Sequence, residues 1–266
     1  MRKGFQTEFI FSLFSLLITF IIVHAVYVAV IRPNAEAFLA DEIVNIETDP
    51  NYVRQRSAYV VIRDYEQETC FILMFWALAI LSYKARATFR QQKQLEQDFI
   101  GLPEGSTITA ADTSPLSSRI QHLPKKMQDY LLPRVLLGTL ERFTSTKNIQ
   151  DASTEVQNLC EEEADRLESE LSIIRYIAWA IPSVGFIGTV RGIGDALAQA
   201  HRAVEGDITG VTQSLGVAFN STFIALLISI VLMFIIHQIQ LGQERLVLDS
   251  KRYCGKWLIS RLSSDA

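Results

Sequence analysis

Cysteine and histidine are scarce in this chain. The three cysteines, Cys70, Cys160 and Cys254, lie far apart, with no CxxC and no Cys/His cluster, and the four histidines, His24, His122, His201 and His237, are equally scattered. That spacing excludes a disulfide framework and a zinc site. Basic charge is also lacking. The net charge is −4 and the sequence pI is near 5.6, which speaks against a nucleic-acid partner, and no basic amphipathic helix suggests attachment to a membrane surface. Nucleotide and hydrolase signatures are missing as well: there is no P-loop, GxSxG or HExxH. Gly188-Thr-Val-Arg-Gly-Ile-Gly194 has the glycines of a phosphate loop, but it closes an apolar run with no soluble strand before it. No Ser–His–Asp arrangement follows from spacing. The reading is a non-enzyme with no cofactor and no metal.

What the sequence has is apolar length. Of 266 residues, 49% are hydrophobic and only 20% charged, and the mean hydropathy is +0.19. A soluble domain of this size has no need of continuous apolar runs of about 20 residues, the length that spans a bilayer. The first run, Phe9–Ile31, follows Arg2 and Lys3. It exceeds the core of a secretory signal, about 7–15 residues, and Arg32-Pro33 follows it rather than a cleavage site, so it reads as a retained anchor. The second run, Cys70–Leu81, is short. Trp76 and Tyr83 suit an interface, and Lys84, Arg86, Arg90 and Lys93 follow, which fits the cytoplasmic side of a span. The third and fourth runs are Leu171–Val190 and Val211–Ile239, with Arg191–Gly210 as an extracytoplasmic link. Basic residues in the tail, from Arg245 to Arg261, place the C-terminus in the cytoplasm with the N-terminus.

The expected fold class is therefore all-α: a polytopic membrane protein with four transmembrane helices and long helices extending into a cytoplasmic helical region. Residues 1–31 form the N-terminal transmembrane helix and 32–68 an extracytoplasmic connector, with a turn over Asn45–Asn51. Residues 69–84 form the second transmembrane helix, 85–170 the cytoplasmic region, 171–240 the paired third and fourth spans, and 241–266 a cytoplasmic C-terminal helix. Within the cytoplasmic region, Pro124–Phe143 reads as a helix interrupted at Pro133. Thr154-x-x-Gln157 reads as a capping box opening one uninterrupted helix from about 153 to past 190. Glu161, Glu162, Glu163, Asp165, Glu168 and Glu170 read as a solvated face rather than a metal site, because consecutive carboxylates on a helix point to different sides. His24 has no visible partner and reads as a lone histidine in a helix contact rather than a proton relay.

The two long spans carry small and hydroxyl side chains at helical spacing. In the third they are Ala178, Pro182, Gly185, Thr189 and Gly192; in the fourth, Ser214, Ala218, Thr222, Ala225 and Ser229. Steps of three and four put each set on one helix face. Each span is thus an apolar rod with one narrow, slightly polar stripe. Proline is tolerated in a membrane helix where a neighbour satisfies the carbonyl it frees. Neither span has a carboxylate in its core, and threonine hydroxyls do not titrate at useful pH. A titrating group for proton passage would have to come from a second chain.

Ile181-Pro-Ser-Val-Gly185-Phe-Ile-Gly188-Thr189-Val190 resembles the motif of the MotA/TolQ/ExbB proton-channel family, close to P-x-L-G-L-L-G-T-V. Ser214-Leu-Gly-Val-Ala-Phe-Asn-Ser221-Thr222-Phe-Ile-Ala225 resembles the family's next helix, and the resemblance covers about residues 150–245. It implies a homo-oligomeric ring, typically a pentamer, in the bacterial inner membrane. The ring surrounds a pair of single-span subunits of the MotB/TolR/ExbD type, whose span carries an aspartate. It also implies that Thr189 and Thr222 line the ion pathway, and that Pro182, Gly185, Gly188, Gly192, Ala218, Ser221 and Ala225 pack the helices and line the pore. Departures are Val217, where some members carry glutamate, the loss of a late proline around Val231, and Arg191, where several relatives have an aromatic. The N-terminal span is extra relative to the three-span plan. The expected function is the channel subunit of a proton-driven membrane motor, with lipid on its outer faces and no nucleic acid. The alternative is a non-conducting membrane scaffold whose stripes serve only packing.

Overall fold

The computed structural model describes residues 2–48, 52, 55–103 and 105–263, with residues 2–8 and 47 described by their backbone alone. Asp49-Pro50-Asn51 of the expected turn and the last residues of the tail, 264–266, lie outside the described residues. In chain order the helices are α1 (Arg2–Val26), α2 (Arg32–Thr48), α3 (Ala58–Ile62), α4 (Tyr65–Gln94), α5 (Thr113–Gln121), α6 (Lys125–Gln128), α7 (Leu131–Thr146), α8 (Ile149–Glu170), α9 (Ser172–Ala198), α10 (Ala200–Val204) and α11 (Thr209–Trp257). The chain is 84% helical, with no strand among the described residues. Four helical stretches are long and apolar enough to cross a membrane: Phe9–Ile46, Tyr65–Gln94, Ile149–Ala198 and Thr209–Arg261. The all-α, four-span expectation holds. Residues 1–82 and 173–236 form one compact unit, and residues 83–172 and 237–266 form another.

In the first unit, the helix does not stop at Ile31 as the polar composition beyond it suggested. Pro33 has no N–H for the carbonyl four residues back, and its ring crowds that carbonyl. The chain widens just before it, over Tyr27–Ile31: the Arg32 N–H bonds the Tyr27 carbonyl, five residues back, which is a π-turn. Asn34 Nδ2 then donates to the Val30 carbonyl at 2.7 Å. With these adjustments helix continues to Thr48. Val23, Tyr27 and Ile31 form a buried cluster with Ile72 of α4, and Trp76 Nε1 donates to the Ser12 carbonyl at 2.9 Å.

The expected link at Arg191–Gly210 is also shorter than its composition implied. α9 runs on through Arg191 to Ala198, and α11 begins at Thr209. Gly192 and Gly194 do not break α9, and Gly192 is buried.

In the second unit, α7 and α8 pack against each other through Leu132, Val135, Leu136, Leu140 and Phe143 on one helix and Ala152, Val156 and Cys160 on the other. Their connection is tight. Lys147 takes a left-handed conformation at φ 52°, its N–H bonding the Phe143 carbonyl. Asn148 Oδ1 then accepts from the Gln150 N–H at 2.8 Å and caps α8. The cap is therefore Asn148 and not Thr154, whose hydroxyl bonds the Gln150 carbonyl one turn inside the helix. Pro133 interrupts nothing, because it lies in the first turn of α7, where no intrahelical donor is required. The break falls earlier, between α6 and α7. Leu246, Cys254, Leu258 and Leu262 from the tail complete this core.

The long helix expected from about 153 runs as one helical stretch, Ile149–Ala198, divided into α8 and α9 by a single turn residue, Leu171. The Leu171 N–H donates to the Glu168 carbonyl, three residues back, at 3.1 Å, and neither glycine nor proline marks the spot. The acidic face is not wholly solvated: Glu170, 22% exposed, accepts from Lys84 Nζ at 2.8 Å. Glu163 is buried and bonds Arg134 Nη1 at 3.1 Å and Arg166 Nη2 at 2.6 Å.

Candidate functional site

The seam between α9 and α11 brings the two stripes together. It begins with a repair. Pro182 leaves the Ala178 carbonyl without its helical donor, and Ser229 Oγ of α11 donates to that carbonyl at 3.2 Å. Three glycines follow on α9. A Cβ at Gly185 would lie 2.4 Å from the Ala225 Cβ, one at Gly188 would lie 2.6 Å from the Ser221 Cβ, and one at Gly192 would lie 2.8 Å from the Ala218 Cβ. The α9 positions ascend as their α11 partners descend, so the helices run antiparallel with only small side chains between them. Ala218, Ser221 and Ala225 are buried to 1% exposure or less. Pro182 is half-buried.

Thr189 and Thr222 meet in the middle of this seam. Thr189 Oγ1 donates to the Ala218 carbonyl at 2.9 Å, and Thr222 Oγ1 donates to the Gly185 carbonyl at 3.1 Å. Ala218 lies one turn before Thr222, and Gly185 one turn before Thr189. Each threonine therefore reaches the carbonyl that opens the other's turn. The two hydroxyl oxygens also touch each other. Each hydroxyl has one proton to give; Thr222 has two acceptors in reach, the Gly185 carbonyl and the Thr189 hydroxyl, and Thr189 has three, the Ala218 carbonyl, the Thr222 hydroxyl and, at 3.4 Å, the Gly185 carbonyl of its own helix. That is the chemistry of a short hydrogen-bond relay with no titrating member.

Charge enters from α4. Its first turn carries Glu66 and Glu68, favoured there by the positive end of the helix dipole. Residues two apart on a helix face different neighbours. Glu68, 6% exposed, takes His24 Nδ1 at 2.7 Å on one oxygen and Arg32 Nη2 on the other. The Arg32 guanidinium lies over the Tyr65 ring, 4.4 Å from its centre. Glu66, 12% exposed, accepts from Arg191 Nη2 of α9 at 2.8 Å. Its side chain crosses α9 over Gly188, where a Cβ would lie 3.1 Å from the Glu66 Cγ. Burial pushes the carboxyl of Asp64, just before α4, above its usual range, with Arg63 and Arg191 opposing the shift.

Of the nine residues singled out from the sequence, eight meet across the α9–α11 seam, and Pro182 bears on it through the Ala178 carbonyl that Ser229 satisfies. His24, by contrast, is not alone, and Glu66, Glu68, Arg32 and Arg191 were missed as a group. Two acidic residues two positions apart, just ahead of an apolar run, are the sequence signal that could have marked two separate partners. The fold and seam define a multi-pass helical membrane protein. Residues 127–251 match the family model described as the MotA/TolQ/ExbB proton channel family. The matched stretch runs from the end of α6 through most of α11 and supports a membrane ion-channel role. No curated protein and no solved structure matches the chain.

Proposed function

We propose that this chain is the ring-forming channel subunit of a proton-driven motor in the bacterial inner membrane, with both termini cytoplasmic. In this reading several copies, typically five in the family, surround a single-span MotB/TolR/ExbD-like subunit whose intramembrane aspartate titrates against Thr189 and Thr222. The observation that carries the reading is the reciprocal threonine bracket, set in a buried small-residue seam inside the family-matched stretch. It supplies exchangeable hydroxyl protons at close range but no titrating group, so the partner's aspartate completes the path. Each charge crossing 100 mV releases about 2.3 kcal/mol, which several ions per cycle turn into mechanical work of the partner. Pro182, Gly185, Gly188, Gly192, Ala218, Ser221 and Ala225 hold α9 and α11 close enough for the bracket to form.

The test is proton uptake into proteoliposomes holding the full chain with the single-span protein encoded beside it. Thr189→Val and Thr222→Val are expected to abolish uptake while leaving co-purification intact. Normal uptake in both variants would sink the proposal. One observation favours a second reading. Both hydroxyls already have carbonyl acceptors across the seam, as in a purely structural contact. If no single-span protein is encoded nearby and the full chain conducts nothing, the scaffold reading stands.

A further inference from the structure

Arg191 is a cation two residues beyond Thr189 on the same helix. An uncompensated guanidinium at that position would oppose any cation approaching the threonine pair, because charges near a protein surface interact at an effective dielectric of about 20, not that of water. The structure provides a compensating group from another span. Glu66 Oε2 lies 2.8 Å from Arg191 Nη2. The carboxylate is mostly buried and the guanidinium 43% exposed, so the positive group is the more accessible of the two. Gly188 makes the contact possible: its missing side chain is the notch through which the Glu66 stem passes, one residue before Thr189. Asp64 is within electrostatic reach of Arg191 but pairs with Arg63 at 3.8 Å.

We propose that Glu66 sets the cation permeability of the threonine seam: through the Gly188 notch it holds and neutralises Arg191, removing a positive barrier two residues beyond Thr189 on α9. Glu66 is a positioning and charge-compensating residue, not a member of the relay. The inference rests on the ion-path reading of Thr189 and Thr222. It gives Gly188 a second task beyond close packing against Ser221, and it gives a function to Arg191.

The experiment uses the full chain with its single-span partner in proteoliposomes, reading proton uptake under an imposed potential. Four forms are compared: wild type, Glu66→Gln, Arg191→Gln, and the double variant Glu66→Gln/Arg191→Gln. Uptake is expected to fall about tenfold or more in Glu66→Gln, the size expected of one unpaired charge within a turn. Arg191→Gln should conduct at least as well as wild type, and the double variant should return to the Arg191→Gln level. Recovery in the double variant separates charge from structure, since a clamp needed only for packing stays broken when both partners are lost. A double variant as low as Glu66→Gln, or a Glu66→Gln variant conducting like wild type, overturns the inference and leaves the ion-path reading intact. A wild type that conducts nothing overturns the ion-path reading, and this inference with it.

Discussion

Ser229 and Ala178 are joined by a hydrogen bond that a proline makes necessary. The hydroxyl of Ser229 on α11 donates at 3.2 Å to the Ala178 carbonyl on α9, the one that Pro182 leaves open. Ser229→Ala is expected to lower stability by about 1–3 kcal/mol, the cost of an unsatisfied buried polar group. In a Pro182→Ala background the loss should shrink, because residue 182 then supplies its own N–H. Denaturant unfolding of the four forms in detergent gives the coupling. Equal losses from Ser229→Ala in both backgrounds would show that the bond does not serve the proline.

Gly192 and Gly194 make a matched pair for testing the seam. A Cβ at Gly192 would lie 2.8 Å from both the Ala218 nitrogen and the Ser214 carbonyl oxygen, which are backbone atoms and cannot swing away. Nothing lies within 4 Å of a Cβ at Gly194. Gly192→Ala should therefore cost about 1–3 kcal/mol as overpacking. Gly194→Ala should be neutral or gain up to about 1 kcal/mol from helix propensity. Thermal unfolding of both variants checks the contrast, and equal effects would mean that α9 and α11 are not in close contact at this end.

The seam was legible in the sequence because its information is local. Small residues three and four apart lie on one face whatever the rest of the chain does, so each stripe could be read before any coordinates, whereas the pairing of Gly185, Gly188 and Gly192 with Ala225, Ser221 and Ala218 comes from the fold. The charge pairs were not legible. Glu66 and Arg191 are 125 positions apart, and only folding brings them together. Helix ends were misread where composition and conformation part company. Pro33 should stop a helix, but a π-turn absorbs it. Arg191 and Asp195 are polar, but nothing near them breaks α9. Leu171 carries no breaker and still marks the α8–α9 junction.

Glu68 anchors the N-terminal span to α4. The carboxylate is 6% exposed and serves both His24 and Arg32, with Arg32 at 22% exposure. Glu68→Ala removes the shared acceptor and leaves a poorly solvated guanidinium without its partner, at an expected cost of about 3 kcal/mol. Glu68→Gln keeps an acceptor and should cost less. Thermal unfolding of the detergent-solubilised protein ranks the three forms. A Glu68→Ala protein as stable as wild type would mean that the N-terminal span is held by its apolar contacts with Ile72 and Phe71 and by the Trp76–Ser12 hydrogen bond.

Cys160 gives the second unit an alkaline limit. It sits in the core beside Val156, 2% exposed. Burial pushes its thiol up to about 11; Glu163 and Glu161 add to the shift and Lys251 opposes it. Burial raises the Cys254 thiol as well. In the unfolded chain a thiol titrates near its ordinary value of 9.0. The folded state holds a proton that the unfolded state releases, so the contribution of Cys160 is fully present below pH 9 and is lost as pH rises towards 11. Two outcomes follow. Iodoacetamide at pH 8, which attacks thiolates, should leave Cys160 and Cys254 unmodified in the folded protein and alkylate both after unfolding. Stability measured between pH 8 and 10.5 should fall less steeply in Cys160→Ala than in wild type. Alkylation of the folded protein at the unfolded rate, or identical pH slopes in the two proteins, would place Cys160 outside a dry core.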